Sequence, residues 1–209
     1  MFKQEWLDKC LYQELPEIKE LYFSVDYAGT ATRKSDGSAI IIIGKGIDNL
    51  HYVIEADIKK RKPEDVIDDI IMHVMKYYGK IEIKGFAVET DVFLNFLAEH
   101  TKEKLLAAGF HIDWIELRQA QRGSKELRIR SLVPKIKHGY LRFHPSQTQL
   151  LSQLRNYPKG KRDGLDGLEM AVSVISKNNA SSFGFGSVKT NESRMKTKTK
   201  TLDISKYFT

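Results

Sequence analysis

Hydrophobic positions along this chain change their period, and the changes outline its elements. Leu21-Tyr22-Phe23-Ser24-Val25 is an apolar run that stops at Asp26, and residues 38–44 carry the unbroken run Ala39-Ile40-Ile41-Ile42-Ile43. A continuous run of β-branched residues predicts a strand covered on both faces, hence a central one. Residues 27–37 between them read as a loop rich in Gly, Thr and Lys. After the turn Gly46-Ile47-Asp48-Asn49, residues 51–58 alternate as a third strand. So few residues join these strands that an antiparallel meander is expected.

From Pro63 the period becomes helical. Val66, Ile67, Ile70, Ile71, Val74 and Met75 form one apolar stripe, and Gly79 ends it. Residues 81–88 then read as a strand, about 92–108 as a helix closed by Gly109, and 110–117 as a fifth strand. A helix is expected over about 125–137, with Leu127, Ile129, Leu132, Val133 and Ile136 turned partly inward. A short strand, Tyr140-Leu141-Arg142-Phe143, a helix over 147–154 and a last helix over 163–176 follow. Alternating strands and helices predict an α/β fold, a central mixed sheet of about five strands flanked by helices. Residues 1–20 read as a lead-in with a short helix, 21–177 as the folded domain and 178–209 as a flexible basic tail. The tail holds Phe183-Gly184-Phe185-Gly186 and, over 196–201, alternating Lys and Thr with no apolar residue. It is either a solvated cationic end or an arm for DNA or a partner.

A chain of 209 residues suffices for one domain with a real core. Its 34 basic against 27 acidic residues give a net charge of +7. That favours a polyanion, of which nucleic acid is the commonest, although a merely basic surface gives the same count. Cys10, the sole cysteine, excludes a disulfide framework and a multi-cysteine zinc site. The first ten residues are too polar for a signal peptide, and the isoleucine run is too short to span a membrane. His73, His100, His111, His138 and His144 show no ligand spacing, and Tyr77, Tyr78 and Trp114 read as packing residues.

Four carboxylates add chemistry. Asp26 and Glu89 end apolar strands, Asp163 opens a helix, and Asp166 follows one turn later on the same face. Ends of neighbouring central strands converge, and a helix start can be brought beside them. Each residue alone has a plainer reading: a turn for Asp26, an N-cap for Asp163. As a set they would repel one another unless a cation is shared. Oxygen donors suit Mg²⁺ or Mn²⁺, and two such ions about 4 Å apart clamp an in-line phosphoryl transfer, one activating water and one stabilising the leaving oxygen. Arg33 and Lys34 follow Asp26; Lys125, Arg128 and Arg130 lie on the helix between; Lys159, Lys161 and Arg162 precede Asp163. As a group these are expected to hold phosphates on both sides of a cut, and individually each is an ordinary surface cation. No segment resembles a base-reading helix or finger.

Five segments together carry a family resemblance: Phe23-Ser24-Val25-Asp26-Tyr27-Ala28-Gly29-Thr30, Gly37-Ser38-Ala39-Ile40, Gly85-Phe86-Ala87-Val88-Glu89-Thr90, Lys125-Glu126-Leu127-Arg128-Ile129-Arg130, and Tyr157 to Leu168. In order and separation, over roughly residues 20–176, the chain resembles the RNase H-like C-terminal nuclease domain of phage terminase large subunits. The resemblance implies a metal-dependent endonuclease that cuts concatemeric double-stranded DNA during genome packaging, and the lack of a base-reading segment implies little sequence specificity. It assigns Asp26, Glu89 and Asp163 to catalysis and the metal centre, with Asp166 as an accessory metal ligand. Members often carry His-Asp-Asp where this chain has Lys161-Arg162-Asp163. Asp166 would then replace the missing carboxylate, or Arg162 would contact the scissile phosphate. The implied partners are double-stranded DNA, a packaging ATPase domain, a small terminase subunit and a portal, in the cytoplasm of a bacterial host of a phage or prophage, with no membrane. The chain has no G-x-x-x-x-G-K-[ST] phosphate loop, so no ATP site is expected, and it reads as an excised domain or a separately encoded nuclease. A junction-resolvase-like nuclease is the nearest alternative chemistry. A non-catalytic DNA-binding or assembly module of the packaging machine, its metal site degenerate at Arg162, is the alternative class.

Overall fold

The isoleucine run lies at the middle of a six-stranded mixed sheet. In the computed structural model, which describes residues 1–27, 37–90, 94–118 and 122–181, the strands are β1 (Ile18–Asp26), β2 (Ser38–Gly46), β3 (His51–Lys59), β4 (Glu82–Thr90), β5 (Trp114–Arg118) and β6 (Leu141–Phe143). Their order is β5-β4-β1-β2-β3-β6. The β1-β2-β3 meander is antiparallel, as expected, while β4 joins β1, β5 joins β4, and β6 joins β3 in parallel. The short strand at 141–143 thus extends the expected five to six.

Both faces are covered, which is why β2 can be apolar throughout. On one face Ile40 and Ile42 pack with Leu21, Phe23, Val25, Phe86 and Val88 beneath α2 (Pro63–Tyr77) and α3 (Leu94–Ala107). On the other, Ile41 and Ile43 meet α1 (Gln4–Lys9), α4 (Lys125–Arg130), α5 (Leu132–Lys137), α6 (Thr148–Asn156) and α7 (Asp163–Ser181). None of the described helices is long and apolar enough to cross a membrane.

Residues 1–20 are more than a lead-in. Phe2, Leu7 and Cys10 are buried in the core of the α7 face, Leu11 bridges to Phe143, and β1 already begins at Ile18. The helix expected over 125–137 is two helices hinged at Ser131. Pro134 has no N–H to offer the carbonyl of Arg130, and its ring crowds that carbonyl, so an unbroken helix cannot pass through it. The break also changes the phase: Ile129, Leu132 and Ile136 are fully buried, but Leu127 is 63% exposed. Likewise Met75 leaves the stripe of α2 for solvent. The fifth strand starts at Trp114 rather than Phe110. Arg33, Lys34 and the tail beyond Ser181 lie outside the described residues.

Candidate functional site

Strand alternation aims the first two carboxylates. Tyr22 belongs to the α7-side core and Ser24 donates to Gly167 O of α7 at 2.7 Å, so Asp26, two residues on, lies on the same face. On β4, Ala87 faces that core and Glu89 follows it. Parallel pairing of Val25 with Val88 sets Asp26 and Glu89 side by side just past the pair.

Helix α7 supplies the rest. Its first turn begins at Asp163, and Gly164 N–H donates to Gln153 Oε1 at 2.9 Å, tying that turn to α6. The helix can lie close on the sheet because its inner positions are glycines. A Cβ on Gly164 would stand 2.4 Å from Ile58 Cδ1, and one on Gly167 would stand 2.9 Å from Ile41 Cγ1. Asp163 Oδ2 accepts from Gly37 N at 2.9 Å, which draws the start of β2 toward the same point.

Asp163 is 4% exposed, Asp166 5%, Glu89 5% and Glu169 6%. Carboxylates are buried this deeply only when partnered, and the charged partners of Glu89, Asp166 and Glu169 come from one stretch of chain. Arg128 donates to Glu89 at 2.8 Å and stands 3.8 Å from Glu169; Arg122 reaches Glu89 at 3.4 Å and also pairs with Glu169. Lys125 Nζ lies 3.1 Å from Asp166 Oδ2. Asp26 is strongly perturbed as a result. Burial raises its pKa, the charge of Asp166 raises it further, Lys125 partly opposes this, and Glu89 and Asp163 add to it, leaving it at about 8. Burial would lower the pKa of Lys125, but the charges of Asp166, Asp26 and Glu89 outweigh it and hold the ammonium above its ordinary value. Burial also raises Glu169, against the lowering charges of Arg122 and Arg128.

The structure therefore brings Asp26, Glu89, Asp163 and Asp166 together and adds Glu169, Arg122 and Gln153, which the sequence reading passed over. Glu169 carried a signal, since 163, 166 and 169 are spaced to share a helical face. Of the residues expected on DNA, Arg128 is instead buried against Glu89, where its guanidinium is committed to carboxylates. Lys125 is half-buried on Asp166. Arg130, Lys159, Lys161 and Arg162 are exposed. Lys159 and Lys161 line a groove of about 240 Å³ with Gln149, Ser152 and Asn156. His73 meets Asp57 at 3.6 Å, and Trp114 stacks on Phe86 at 4.6 Å.

Among the described residues, no group of three or more His, Cys, Asp or Glu side chains stands in an arrangement ready to hold a metal ion. Arg122, Lys125 and Arg128 fill the cluster. Its chemistry still fits a hard cation: the acidic donors are all oxygens, and Asp26, its pKa raised first by burial, is raised further by the charges of Asp166, Glu89 and Asp163, which Lys125 only partly opposes.

No family model matches the chain, and no curated protein matches it. Solved structures do. The chain is similar to the human cytomegalovirus terminase nuclease domain, solved soaked with Mn and bound to an inhibitor, at 13% identity over 86% of this chain and 97% of that one, with a TM-score of 0.62. It is similar to the P22 large terminase nuclease domain at 13% identity over 81% and 89%, TM-score 0.58. The large terminase nuclease of thermophilic phage G20c, solved with bound magnesium, matches at 17% identity over 80% and 94%, TM-score 0.56. At such identities the likeness is one of fold: this chain has the RNase H-like fold of the viral terminase nuclease domains.

Proposed function

We propose that the chain is a metal-dependent endonuclease that hydrolyses phosphodiester bonds of double-stranded DNA, with terminase-like cutting of concatemers during genome packaging as its setting in a phage-infected or lysogenic bacterial cell. The observation that carries this reading is the convergence of Asp26, Glu89, Asp163 and Asp166 from β1, β4 and α7, close enough that the charges of the other three add to burial in raising the Asp26 carboxyl. Asp26, Asp163 and Asp166, with Glu89, would hold one or two Mg²⁺ or Mn²⁺ ions. Such an ion supplies Lewis-acid stabilisation of the charge that develops on a transferring phosphoryl group. Glu89 is oriented by Arg128, and Asp163 by the N–H of Gly37. Burial and the neighbouring carboxylates make Asp26 hold its proton more tightly than a free aspartate, and a bound cation would oppose both effects. Exposed Lys159, Lys161 and Arg162, immediately before α7, would bind the DNA backbone next to the centre, with Arg130 farther along and Arg33 and Lys34 after Asp26. The proposed partners are DNA, a packaging ATPase domain, a small terminase subunit and a portal.

The test is digestion of supercoiled plasmid without ATP. Nicking or linearisation in Mn²⁺ or Mg²⁺ that EDTA abolishes supports the proposal. Cutting that survives EDTA, or intact plasmid at every metal concentration, contradicts it.

A further inference from the structure

The chain passes from β3 to α2 through Lys59-Lys60-Arg61-Lys62, four cations in succession. Arg61 turns inward, its side chain 3% exposed. Its guanidinium donates to Asp57 Oδ2 at 2.7 Å, to Asp69 Oδ2 at 2.6 Å, to Asp57 O at 3.0 Å and to Ser38 O at 3.4 Å. Lys59 joins the same acids, at 3.3 Å from Asp57 and 3.0 Å from Asp69. Asp57, Lys59 and Arg61 thus share the α2 side, as alternate residues of an extended chain do. Ile58 belongs to the core on the α7 side, and Lys60, between Lys59 and Arg61, is turned away from them. Lys60 and Lys62 are both exposed. The other acids of this corner belong to α2, on the opposite face of the sheet. Asp65 accepts from Lys62 N at 3.2 Å, and Glu64 and Asp68 are exposed one turn apart.

This turn stands at the edge of the acidic centre. A Cβ on Gly37 would lie 3.2 Å from Lys59 O and 3.3 Å from Asp163 Oδ2, so a single glycine separates the end of β3 from the start of α7. Ile58 packs on Gly164 from the same side. Lys159, Lys161 and Arg162 lie just before that first turn of α7. Two short basic segments, 59–62 and 159–162, therefore reach one helix start from different elements. Resting on the nuclease reading, we infer that the turn between β3 and α2 is a further DNA-backbone contact. Lys60 and Lys62 hold phosphates beside the cut, and Arg61 is the buried anchor that fixes the turn. A lysine ammonium is a compact charge on a flexible stem, and it meets phosphate oxygens without reading a base. The register sets the distance from the cut, since Asp26 pairs with Ala39 of β2 and Lys59 with the adjacent Ser38. Two strand spacings, about 10 Å, separate β1 from β3, on the order of three nucleotide steps along one DNA strand. Lys60 and Lys62 thus grip duplex flanking the scissile phosphate and leave the reacting group to the carboxylates.

The test is a salt titration of duplex binding by the full chain, read by fluorescence anisotropy of a labelled duplex in EDTA so that binding is separated from cutting. Wild type is compared with the double variants Lys60→Ala/Lys62→Ala and Lys60→Arg/Lys62→Arg, and with Lys159→Ala/Lys161→Ala. Circular dichroism checks that each is folded, which substitutions of exposed lysines should leave intact. For Lys60→Ala/Lys62→Ala the slope of log affinity against log salt is expected to fall by about 0.9 for each of the two phosphates released, with weaker binding on every sequence alike. Lys60→Arg/Lys62→Arg is expected to keep the slope of wild type, because the charge remains. Slope and affinity unchanged in the alanine pair, while Lys159→Ala/Lys161→Ala binds more weakly, would overturn the inference and leave the nuclease reading standing. A loss in the arginine pair as large as in the alanine pair would also overturn it, since packing rather than charge would then be responsible. Wild type that binds no duplex at any salt concentration would remove the nuclease reading and this contact together.

Discussion

Asp26 is where the competing forces of this protein meet. Its carboxyl is pushed from 3.8 to about 8 by burial and by Asp166, Glu89 and Asp163. An acid whose pKa is raised on folding contributes its full stability below the unfolded pKa. That contribution is lost as pH rises from the unfolded value through the folded one, because within that window the native state holds a proton the unfolded chain has released. In EDTA, wild type is therefore expected to lose thermal stability between about pH 4 and pH 8, and Asp26→Asn to lose less over the same interval. Adding Mn²⁺ at the upper end should restore wild type and do little for Asp26→Asn. Parallel melting curves for the two proteins across that range would remove the electrostatic coupling assigned to Asp26. The four acids stood out in the sequence because Asp26 and Glu89 end apolar runs, Asp163 begins a helix, and Asp166 follows on the same face one turn later. Their counter-charges did not. Arg122 and Arg128 look like any surface arginine until the fold buries them against Glu89 and Glu169, a long-range contact with no local signature.

Among the elements, α7 decides whether there is a site at all, since it carries Asp163, Asp166 and Glu169 to the ends of β1 and β4. Its close seat depends on Gly164 and Gly167. At an open helical position, replacing Gly by Ala would stabilise by about 1 kcal/mol. At Gly164 the new methyl would meet Ile58 Cδ1 at 2.4 Å and Gln153 Oε1 at 2.9 Å. Overpacking of that kind costs roughly 1–3 kcal/mol, so the net sign is expected to reverse. Gly164→Ala should lower the midpoint of urea unfolding and slow DNA cleavage while the fold persists. A variant more stable than wild type, with unchanged cleavage, would show that α7 does not need the close approach. Periodicity located most elements because most are amphipathic or wholly buried. It failed at 125–137, where the apolar spacing continues but Pro134 breaks the backbone, and at 1–20, where Phe2, Leu7 and Cys10 are too sparse to show a period yet close one end of the core.

Over the whole molecule, the sheet order and the two covered faces agree with the fold of the viral terminase nuclease domains. The excess of positive charge is read as useful at the exposed turn holding Lys159, Lys161 and Arg162, beside the acidic centre. Reversing Lys159 and Lys161 to Glu is expected to weaken DNA binding across all sequences alike. The slope of log affinity against log salt should fall by about one unit for each phosphate that the protein no longer neutralises. An unchanged slope on salt titration would place the DNA on another surface. The fold class was legible because strand and helix periods alternate, but the sixth strand's place beside β3 was not, since three residues carry too little pattern to name a neighbour. The most direct measurement on the central claim is the Mn²⁺-dependent rate of plasmid cleavage by wild type, Asp26→Ala, Glu89→Gln and Asp163→Asn, purified identically and checked for folding. Each substitution should lower the rate by at least about two orders of magnitude, the scale expected when a charge-stabilising element is removed. Equal rates for wild type and any folded variant of the three would contradict the assignment of that residue, and equal rates for all would mean that the cutting arises elsewhere.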